Sequence, residues 1–276
     1  MTTDPTRPTR PTRPTRPTHP PDPTAPSRPP YPLTDTVDLT PHLRLLRFPV
    51  GQAYLWRDGT GPGAELTLID AGAAGAGRPI ADVVRDGGQA PEDVRRIVLT
   101  HFHEDHAGGA GEFARLSGAE VYAHRLDAPY VRGEAPEPQP VFEDWERPLH
   151  ARALAALPPR PDHPELPFAV RELAEGDVLD FGGGARVVGV PGHTDGSIAL
   201  HLPAHGALFT GDAVAASPVD GQVVLGVFNL DRTRAVASFH RLAALDTDVV
   251  CFGHGDPVVG GAGAALRKAA SAYEGA

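Results

Sequence analysis

The residues of this chain best suited to chemistry lie close together in its first half. Within six positions the sequence places three histidines and one aspartate: His101, His103, Asp105 and His106. Imidazole and carboxylate are ligands that zinc, iron and manganese accept. In an extended loop His101 and His103 point the same way, whereas the adjacent Asp105 and His106 diverge. The spacing therefore indicates one metal site at the two histidines and a second site at the following pair.

The sequence around this cluster predicts which elements hold it. Ile97, Val98 and Leu99 are typical of the end of a buried strand. Glycines follow the cluster, and residues 112–116 have helical character. The four side chains are therefore predicted on a loop between a strand and a helix, where a fixed scaffold commonly presents functional groups. A single His-x-His pair is typical of an exposed loop, but four such residues in this setting favour a metal site.

Three later segments place a glycine beside a metal-binding residue type at the end of a predicted strand. They are Gly192-His193, Gly211-Asp212 and Gly253-His254. Glycine permits a tight backbone at a strand end and leaves space close to a metal. Each pair alone is typical of a surface turn, so the prediction depends on their common position at strand ends.

These segments resemble the signature motifs of the metallo-β-lactamase superfamily. They are Leu-Ile-Asp-Ala-Gly at 68–72, His-x-His-x-Asp-His at 101–106, Pro-Gly-His-Thr-Asp-Gly-Ser at 191–197, Thr-Gly-Asp at 210–212 and Gly-His-Gly-Asp-Pro at 253–257. The resemblance covers residues 43–272 and implies an α/β (α+β) fold, the four-layer αβ/βα sandwich of that superfamily. The predicted elements agree, because two strand-rich halves with outer helices bury both sheets by packing them face to face.

The resemblance also implies roles for individual residues. It implies two cations with these ligands: His101, His103 and His193 at the first, Asp105, His106 and His254 at the second, and Asp212 bridging both. Asp70 would orient a ligand histidine through its ring N–H. Asp105 would also be catalytic, because its carboxylate can orient the nucleophile or pass a proton to the leaving group.

The implied cofactors are two divalent metal ions. Zinc is the favoured metal, with iron or manganese as alternatives. The implied activity is that of a metal-dependent hydrolase in which a metal-bridged hydroxide attacks an ester, lactone, lactam or thioester-type substrate. One alternative is a mononuclear iron oxygenase resembling persulfide dioxygenases, and another is a non-catalytic metal-binding protein on the same fold. The imidazole and carboxylate ligands do not distinguish zinc from iron. The metal content of the purified protein would separate these hypotheses.

Departures from individual branches of the superfamily narrow the expected substrate. Ala215 stands three residues after Asp212, where the acyl-homoserine lactonases usually place a tyrosine. The segment that follows His254 is shorter than the helical glutathione-binding segment of glyoxalase II enzymes, which weakens that interpretation. Cys251 falls within a predicted strand and is expected to be a buried apolar residue.

The sequence divides into a tail and one domain. Residues 1–34 are rich in Pro, Thr and Arg, and Pro-Thr-Arg recurs from Pro5 to Arg16, which predicts a disordered tail. Because residues 1–32 offer almost nothing to bury, their deletion is expected to leave folding and activity intact. Residues 35–276 form the predicted metallo-β-lactamase-like domain, with a proline-rich, lid-like insertion at about 124–167. Within the insertion, the candidate pocket residues are Tyr130, Phe142 and Trp145.

The composition bounds the partners. The chain has 276 residues with a formal net charge of −10, which favours a small-molecule substrate over nucleic acid. Neither a secretory signal nor a bilayer-spanning apolar stretch is visible in the sequence. The single cysteine, Cys251, allows no disulfide within the chain. These features predict a cytoplasmic protein that does not bind membranes.

Overall fold

A computed structural model describes residues 30–61, 63–159 and 169–273. The first sheet has seven strands in chain order: β1 (Asp35–Thr40), β2 (Leu43–Arg47), β3 (Gln52–Arg57), β4 (Leu66–Ile69), β5 (Val94–Val98), β6 (Glu120–His124) and β7 (Val170–Leu173). Strands β1 to β4 pair antiparallel, and β4 to β7 pair parallel. The carboxyl ends of β4, β5 and β6 therefore lie along one edge of the sheet.

The second half of the chain supplies the other strands: β8 (Val178–Leu179), β9 (Ala185–Gly189), β10 (Ile198–Leu202), β11 (Ala207–Phe209), β12 (Val214–Ala216), β13 (Val223–Leu225), β14 (Val249–Cys251) and β15 (Val258–Val259). Six of them form the second sheet, in the order β15-β14-β11-β10-β9-β8. Strands β11 and β14 pair parallel, so their carboxyl ends also lie at one edge. The remaining two, β12 and β13, form a separate antiparallel pair.

Seven α-helices are found in the described residues: α1 (Gly77–Asp86), α2 (Glu104–Ala107), α3 (Ala110–Ser117), α4 (Ala128–Val131), α5 (Glu146–Ala156), α6 (Arg232–Ala243) and α7 (Ala262–Ala270). Asp231 caps the N-terminus of helix α6, since its side chain accepts a hydrogen bond from the backbone N–H of Arg234. Among the described residues, none of these helices combines the length and apolar character that crossing a bilayer requires.

In the described residues the core consists of three apolar clusters, which correspond to the interfaces between four layers. One cluster contains residues of both sheets, including Tyr54, Ile69, Leu200 and Phe209, and lies between them. A second packs the first sheet on α1 and α3, and a third packs the second sheet on α6 and α7. In β10, Leu200 faces the cluster between the sheets whereas Ala199 faces the helices, as the two-residue period of a strand requires. The predicted αβ/βα sandwich is confirmed.

The N-terminal part of the described chain differs from the expectation for a tail. Tyr31 is buried, its ring stacks on Phe48 at 5.6 Å between centroids, and its backbone N–H donates to Gly75 O at 2.9 Å. Residues 1–32 therefore contain a buried side chain, Tyr31. The expectation that deleting them leaves folding intact was based on a segment with almost nothing to bury, and it did not take Tyr31 into account. Residues 1–29 of the predicted tail, and 160–168 at the end of the insertion, lie outside the described residues.

Candidate metal centre

The structure brings all seven predicted ligands together at the edge where the strands of both sheets end. His101, His103, Asp105 and His106 lie in the loop and helix α2 that follow β5. The other three follow strands β9, β11 and β14 of the second sheet. Three groups have ligand atoms within 4.8 Å of one another: His101, His103 and His193; His101, His106 and Asp212; Asp105, His106 and His254. The centre is thus assembled from both halves of the molecule.

The first group is made of three imidazoles. His193 Nε2 lies 3.2 Å from His101 Nε2 and 2.9 Å from His103 Nδ1. Burial, together with the neighbouring His193, lowers the pKa of His103 to about 3. Burial likewise lowers the pKa of His101 and of His193. Neutral rings keep a lone pair on the converging nitrogens, which is the form that binds a cation.

The second group combines imidazoles with carboxylates. His254 Nε2 lies 3.2 Å from an oxygen of Asp105 and 3.2 Å from an oxygen of Asp212. Burial opposes protonation of His254, but the two carboxylates outweigh it and raise its pKa to about 10. They act in the same way on His106, whose pKa is raised although burial opposes it. The carboxylates thus create a site that favours positive charge.

Asp212 faces both groups. Its Oδ2 lies 3.6 Å from His193 Nε2, and its Oδ1 lies 3.4 Å from His106 Nε2. One carboxylate therefore reaches ligands of the first and of the second group, as the predicted bridging role requires.

Asp70 orients two of the candidate ligand histidines, His106 directly and His101 through Thr100. Its Oδ2 accepts hydrogen bonds from His106 Nδ1 at 2.9 Å and from the hydroxyl of Thr100 at 2.8 Å. Because the Thr100 proton is given to Asp70, the 3.0 Å contact between Thr100 Oγ1 and His101 Nδ1 is donated by the ring. Both histidines are thereby held with Nε2 toward the centre. Asp70 has φ of 57°, a left-handed conformation that aspartate tolerates better than most residues.

Two tests within the structure support a fit to metal ions. His106 Nε2 and Asp212 Oδ1 are buried, and neither has a hydrogen-bond partner among the described residues. Such atoms are costly unless something else binds them. In addition, a Cβ on Gly253 would lie 1.9 Å from Asp212 Oδ1 and 2.8 Å from His106 Cε1. Glycine therefore leaves the space that these ligands occupy, for the reason the sequence suggested.

Several residues that support the centre have no motif of their own. Asp127, at the N-terminus of α4, accepts hydrogen bonds from the Thr194 hydroxyl at 2.7 Å and from Gly196 N–H at 2.8 Å. It thereby fixes the loop that carries His193. Burial raises the pKa of Asp127 to about 7. The backbone carbonyl of Val227 accepts from His193 Nδ1 at 3.0 Å, a contact that no sequence pattern indicates.

The three candidate pocket residues of the insertion occupy different environments. Tyr130 packs on Phe102 at 4.6 Å between centroids, and Phe102 lies 4.7 Å from the ring of His103. Phe142 contacts the rings of His150 and Phe228. Trp145 is 56% exposed. The insertion therefore approaches the candidate metal centre through Tyr130, whereas Phe142 packs on Phe228 and Trp145 lies at the surface.

The chain was compared with known proteins. The family described as "Metallo-beta-lactamase superfamily" matches residues 48–254, which include all seven ligand positions. "Probable metallo-hydrolase YflN" of Bacillus subtilis (strain 168) is 30% identical over 206 residues, which cover 71% of this chain and 77% of that protein. A "Hydroxyacylglutathione hydrolase" of Cereibacter sphaeroides is 32% identical over 213 residues, which cover 73% of this chain. The alignment spans only 61% of that hydrolase.

Solved structures give the same picture. A metallo-beta-lactamase family protein of Thermus thermophilus superposes with a TM-score of 0.59 at 27% identity, over 86% of this chain and 79% of that one. The protein TTHA1623, in a di-iron-bound form, superposes with a TM-score of 0.53 at 28% identity, over 76% of this chain and 89% of that one.

Proposed function

The chain belongs to the metallo-beta-lactamase superfamily, and from this premise we propose that it is a binuclear metal-dependent hydrolase of a small molecule. The single observation that carries the proposal is the convergence of seven imidazole and carboxylate side chains, two of whose buried atoms have no hydrogen-bond partner among the described residues. The residues assigned to the first metal are His101, His103 and His193, those assigned to the second are Asp105, His106 and His254, and Asp212 is assigned to both. Zinc is the proposed metal, with iron and manganese as alternatives.

The metal ions, when bound, would supply a hydroxide nucleophile at neutral pH and polarise the bond to be cleaved. The protein supplies orientation and proton handling. Asp105 presents one carboxylate oxygen to the second group and is 13% exposed at its side chain, so it can reach a substrate atom. We propose that it orients the nucleophile and passes a proton to the leaving group. Asp70 and Thr100 hold His106 and His101 in fixed orientations, which reduces the reorganisation that the reaction requires.

The proposed substrates contain an ester, lactone, lactam or thioester-type bond. The names of the relatives support a hydrolase, because they include a metallo-hydrolase and a hydroxyacylglutathione hydrolase. The latter name supports a thioester within the proposed class. Specificity is proposed to lie in the insertion and in residues 213–230. We further propose that the enzyme acts in the cytoplasm, independently of membranes and nucleic acid.

Metal analysis combined with activity assays tests the proposal. The purified full-length protein should contain two metal ions per chain and hydrolyse at least one member of an ester, thioester, lactone and lactam panel. His254→Ala should lose one ion, because it removes a ligand of the second group only. One iron per chain with oxygen consumption and no hydrolysis would instead support the oxygenase hypothesis. The di-iron-bound form of TTHA1623 makes iron a necessary part of the analysis.

A further inference from the structure

The loop that carries His193 is supported by a second loop, residues 226–231, which we call the support loop. Val227 O accepts the Nδ1–H of His193 at 3.0 Å. The support loop also donates to the His193 loop through Leu230 N–H to His193 O at 3.3 Å and Asp231 N–H to Gly192 O at 2.9 Å. The hydrogen bond to Val227 leaves Nε2 of His193 free to face the metal centre.

The other side of the support loop contacts the insertion. Val141 N–H donates to Asn229 O at 2.9 Å. The carboxylate of Glu146, at the start of α5, accepts from Phe228 N–H at 3.1 Å through Oε1. Its Oε2 accepts from Glu143 N–H at 2.8 Å. Glu146 is only 3% exposed, so this carboxylate lies inside the protein and not on the surface of the insertion.

Val227 O and Phe228 N belong to the same peptide group. A trans peptide is planar and its C=O and N–H point in opposite directions. Glu146 therefore binds one end of a rigid unit whose other end binds His193. A carboxylate at the N–H end also polarises the peptide, which strengthens the hydrogen bond accepted at its carbonyl end. The carboxylate of Glu146 is thus connected to the imidazole of His193 through one peptide group.

The backbone at this peptide is held in an unfavourable conformation. Phe228 has φ of 60°, and a bulky residue adopts this left-handed region only where surrounding contacts impose it. The surrounding contacts come from the insertion: the rings of Phe142 and His150 lie 6.2 Å and 5.0 Å from that of Phe228, and Glu146 binds its N–H. Without these contacts the peptide is expected to rotate, which would withdraw Val227 O from His193.

We propose that Glu146 is a positioning residue that orients His193 through the Val227–Phe228 peptide, so that the insertion sets the metal affinity of the first site. This inference rests on the proposed metal centre. It gives the insertion a role beyond covering the site, because a contact far along the chain from every ligand determines the orientation of one of them.

The test measures zinc affinity of full-length Glu146 variants by competition with a chelator. Glu146→Leu removes the acceptor and is expected to weaken the first site by about 10- to 100-fold, the usual cost of losing a residue that orients a ligand. Glu146→Gln keeps one oxygen that can accept from Phe228 N–H but leaves Glu143 N–H without its acceptor, so its loss of affinity should be clearly smaller than that of Glu146→Leu. The matched control is Glu143→Gln, which removes the same charge from an exposed side chain of the same segment.

A second readout distinguishes positioning from general destabilisation. In long-range ¹H–¹⁵N spectra of the metal-free protein, His193 of wild type and of Glu146→Gln should carry its proton on Nδ1. In Glu146→Leu the two tautomers should mix. If Glu146→Leu does not fold, Glu146→Asp replaces it, because a shorter carboxylate retains the charge but withdraws from Phe228 N–H.

The outcomes separate this inference from the proposed function. One outcome would overturn the role of Glu146 and leave the proposed function intact. In that outcome wild type binds two zinc ions, and a folded Glu146→Leu binds zinc with equal affinity and keeps the wild-type tautomer of His193. A wild-type protein that binds no zinc, iron or manganese would contradict the proposed function and this inference together. The role of Glu146 would also be overturned if Glu143→Gln lost as much zinc affinity as Glu146→Leu. The loss would then result from removing a negative charge and not from removing the contact with Phe228.

Discussion

At the scale of residues, Asp105 has two possible roles that the structure separates. An aspartate near a helix start can cap the helix. Here α2 begins at Glu104 after His103, so Asp105 lies inside the first turn and not at the capping position. Its carboxylate instead lies 3.2 Å from His254 Nε2. The geometry therefore supports a role in the metal centre.

Asp105→Asn is expected to lower kcat by about 10²- to 10⁴-fold, the usual contribution of a general acid or base. The first site, which consists of three histidines, should remain metallated. Steady-state kinetics and metal analysis on the same preparation check this expectation. His193→Ala is the comparison, because it should empty the first site. An Asp105→Asn enzyme with two metals and normal turnover would show that the carboxylate has no role in the chemistry.

Asp127 provides a pH prediction at the same scale. Burial raises its pKa to about 7, against the opposing hydrogen bonds from Thr194 and Gly196. An unfolded aspartate titrates at about pH 4. Between about pH 4 and 7 the folded state therefore binds more protons than the unfolded state, so this group makes the free energy of unfolding fall as pH rises.

Asp127→Asn mimics the protonated side chain and should remove this contribution. Chemical denaturation at several pH values between 4 and 8 measures it: the wild-type curve should decline more steeply than that of the variant. The exposed Asp195→Asn serves as the control, since it removes a carboxylate from the same loop region. Parallel curves for wild type and Asp127→Asn would mean that Asp127 is ionised throughout this range.

The sequence predicted which side chains converge at the candidate metal centre better than it predicted what supports them. Histidines and aspartates at strand ends have recognisable types and spacing. Asp127 and Glu146 have no such pattern, because their roles arise from contacts between segments far apart in the chain. The carbonyl of Val227 is a backbone group, so the identity of that residue contains no signal at all.

At the scale of elements, some strands can be predicted from the sequence pattern and others cannot. The apolar end of β5, Ile97 and Val98, is predicted from its composition. Strand β1 was missed because most of its residues are exposed and polar at the edge of the first sheet. Strands β12 and β13 have three residues each and lie within residues 213–230, where the sequence indicates no strand. Three residues are too few to show a two-residue period.

The N-terminal segment before β1 gives a prediction at this scale. Tyr31 stacks on Phe48, and its hydroxyl oxygen accepts from Val50 N–H at 2.8 Å. The loop it supports is adjacent to Asp105, since a Cβ on Gly51 would lie 2.7 Å from Asp105 O. Tyr31→Ala should therefore lower the free energy of unfolding by about 3–5 kcal/mol, as for other buried aromatic residues.

Tyr31→Phe is the matched control, because it keeps the ring and removes only the hydroxyl. It should cost about 1–3 kcal/mol, the penalty for leaving the Val50 N–H without its acceptor. Denaturant titration of both variants measures these differences. If Tyr31→Ala is as stable as wild type, the segment that contains it does not contribute to the core.

At the scale of the whole molecule, the metal centre lies where the two sheets meet. Across this interface Gln52 donates to Phe252 O at 2.9 Å and to Gly255 O at 2.8 Å, and the Tyr54 hydroxyl donates to Phe252 O at 2.7 Å. Strand β3 of the first sheet thus holds the loop that carries His254. Metal ions bound by residues of both halves would add further links at the same edge.

Removal of metal should therefore destabilise the entire fold. Ions that bind only the folded state stabilise it by about 2.7 kcal/mol when their free concentration is 100 times Kd. A chelator should lower Tm, and readdition of zinc should restore it. In the chelated protein, a proton on His254 compensates part of the negative charge of Asp212 and Asp105. These carboxylates outweigh burial and raise the pKa of His254 to about 10.

The sign of the resulting pH dependence follows from that raised pKa. The folded pKa lies above the ordinary value of 6.5 for histidine, so the contribution of protonated His254 is complete below about pH 6.5 and declines as pH rises toward 10. The chelated protein should therefore lose stability over this range, whereas the metal-loaded protein should lose less, because the ions replace the proton. Denaturation with and without chelator at pH 6, 8 and 10 measures both effects. Equal stability of the two forms at every pH would contradict metal binding at the interface of the halves.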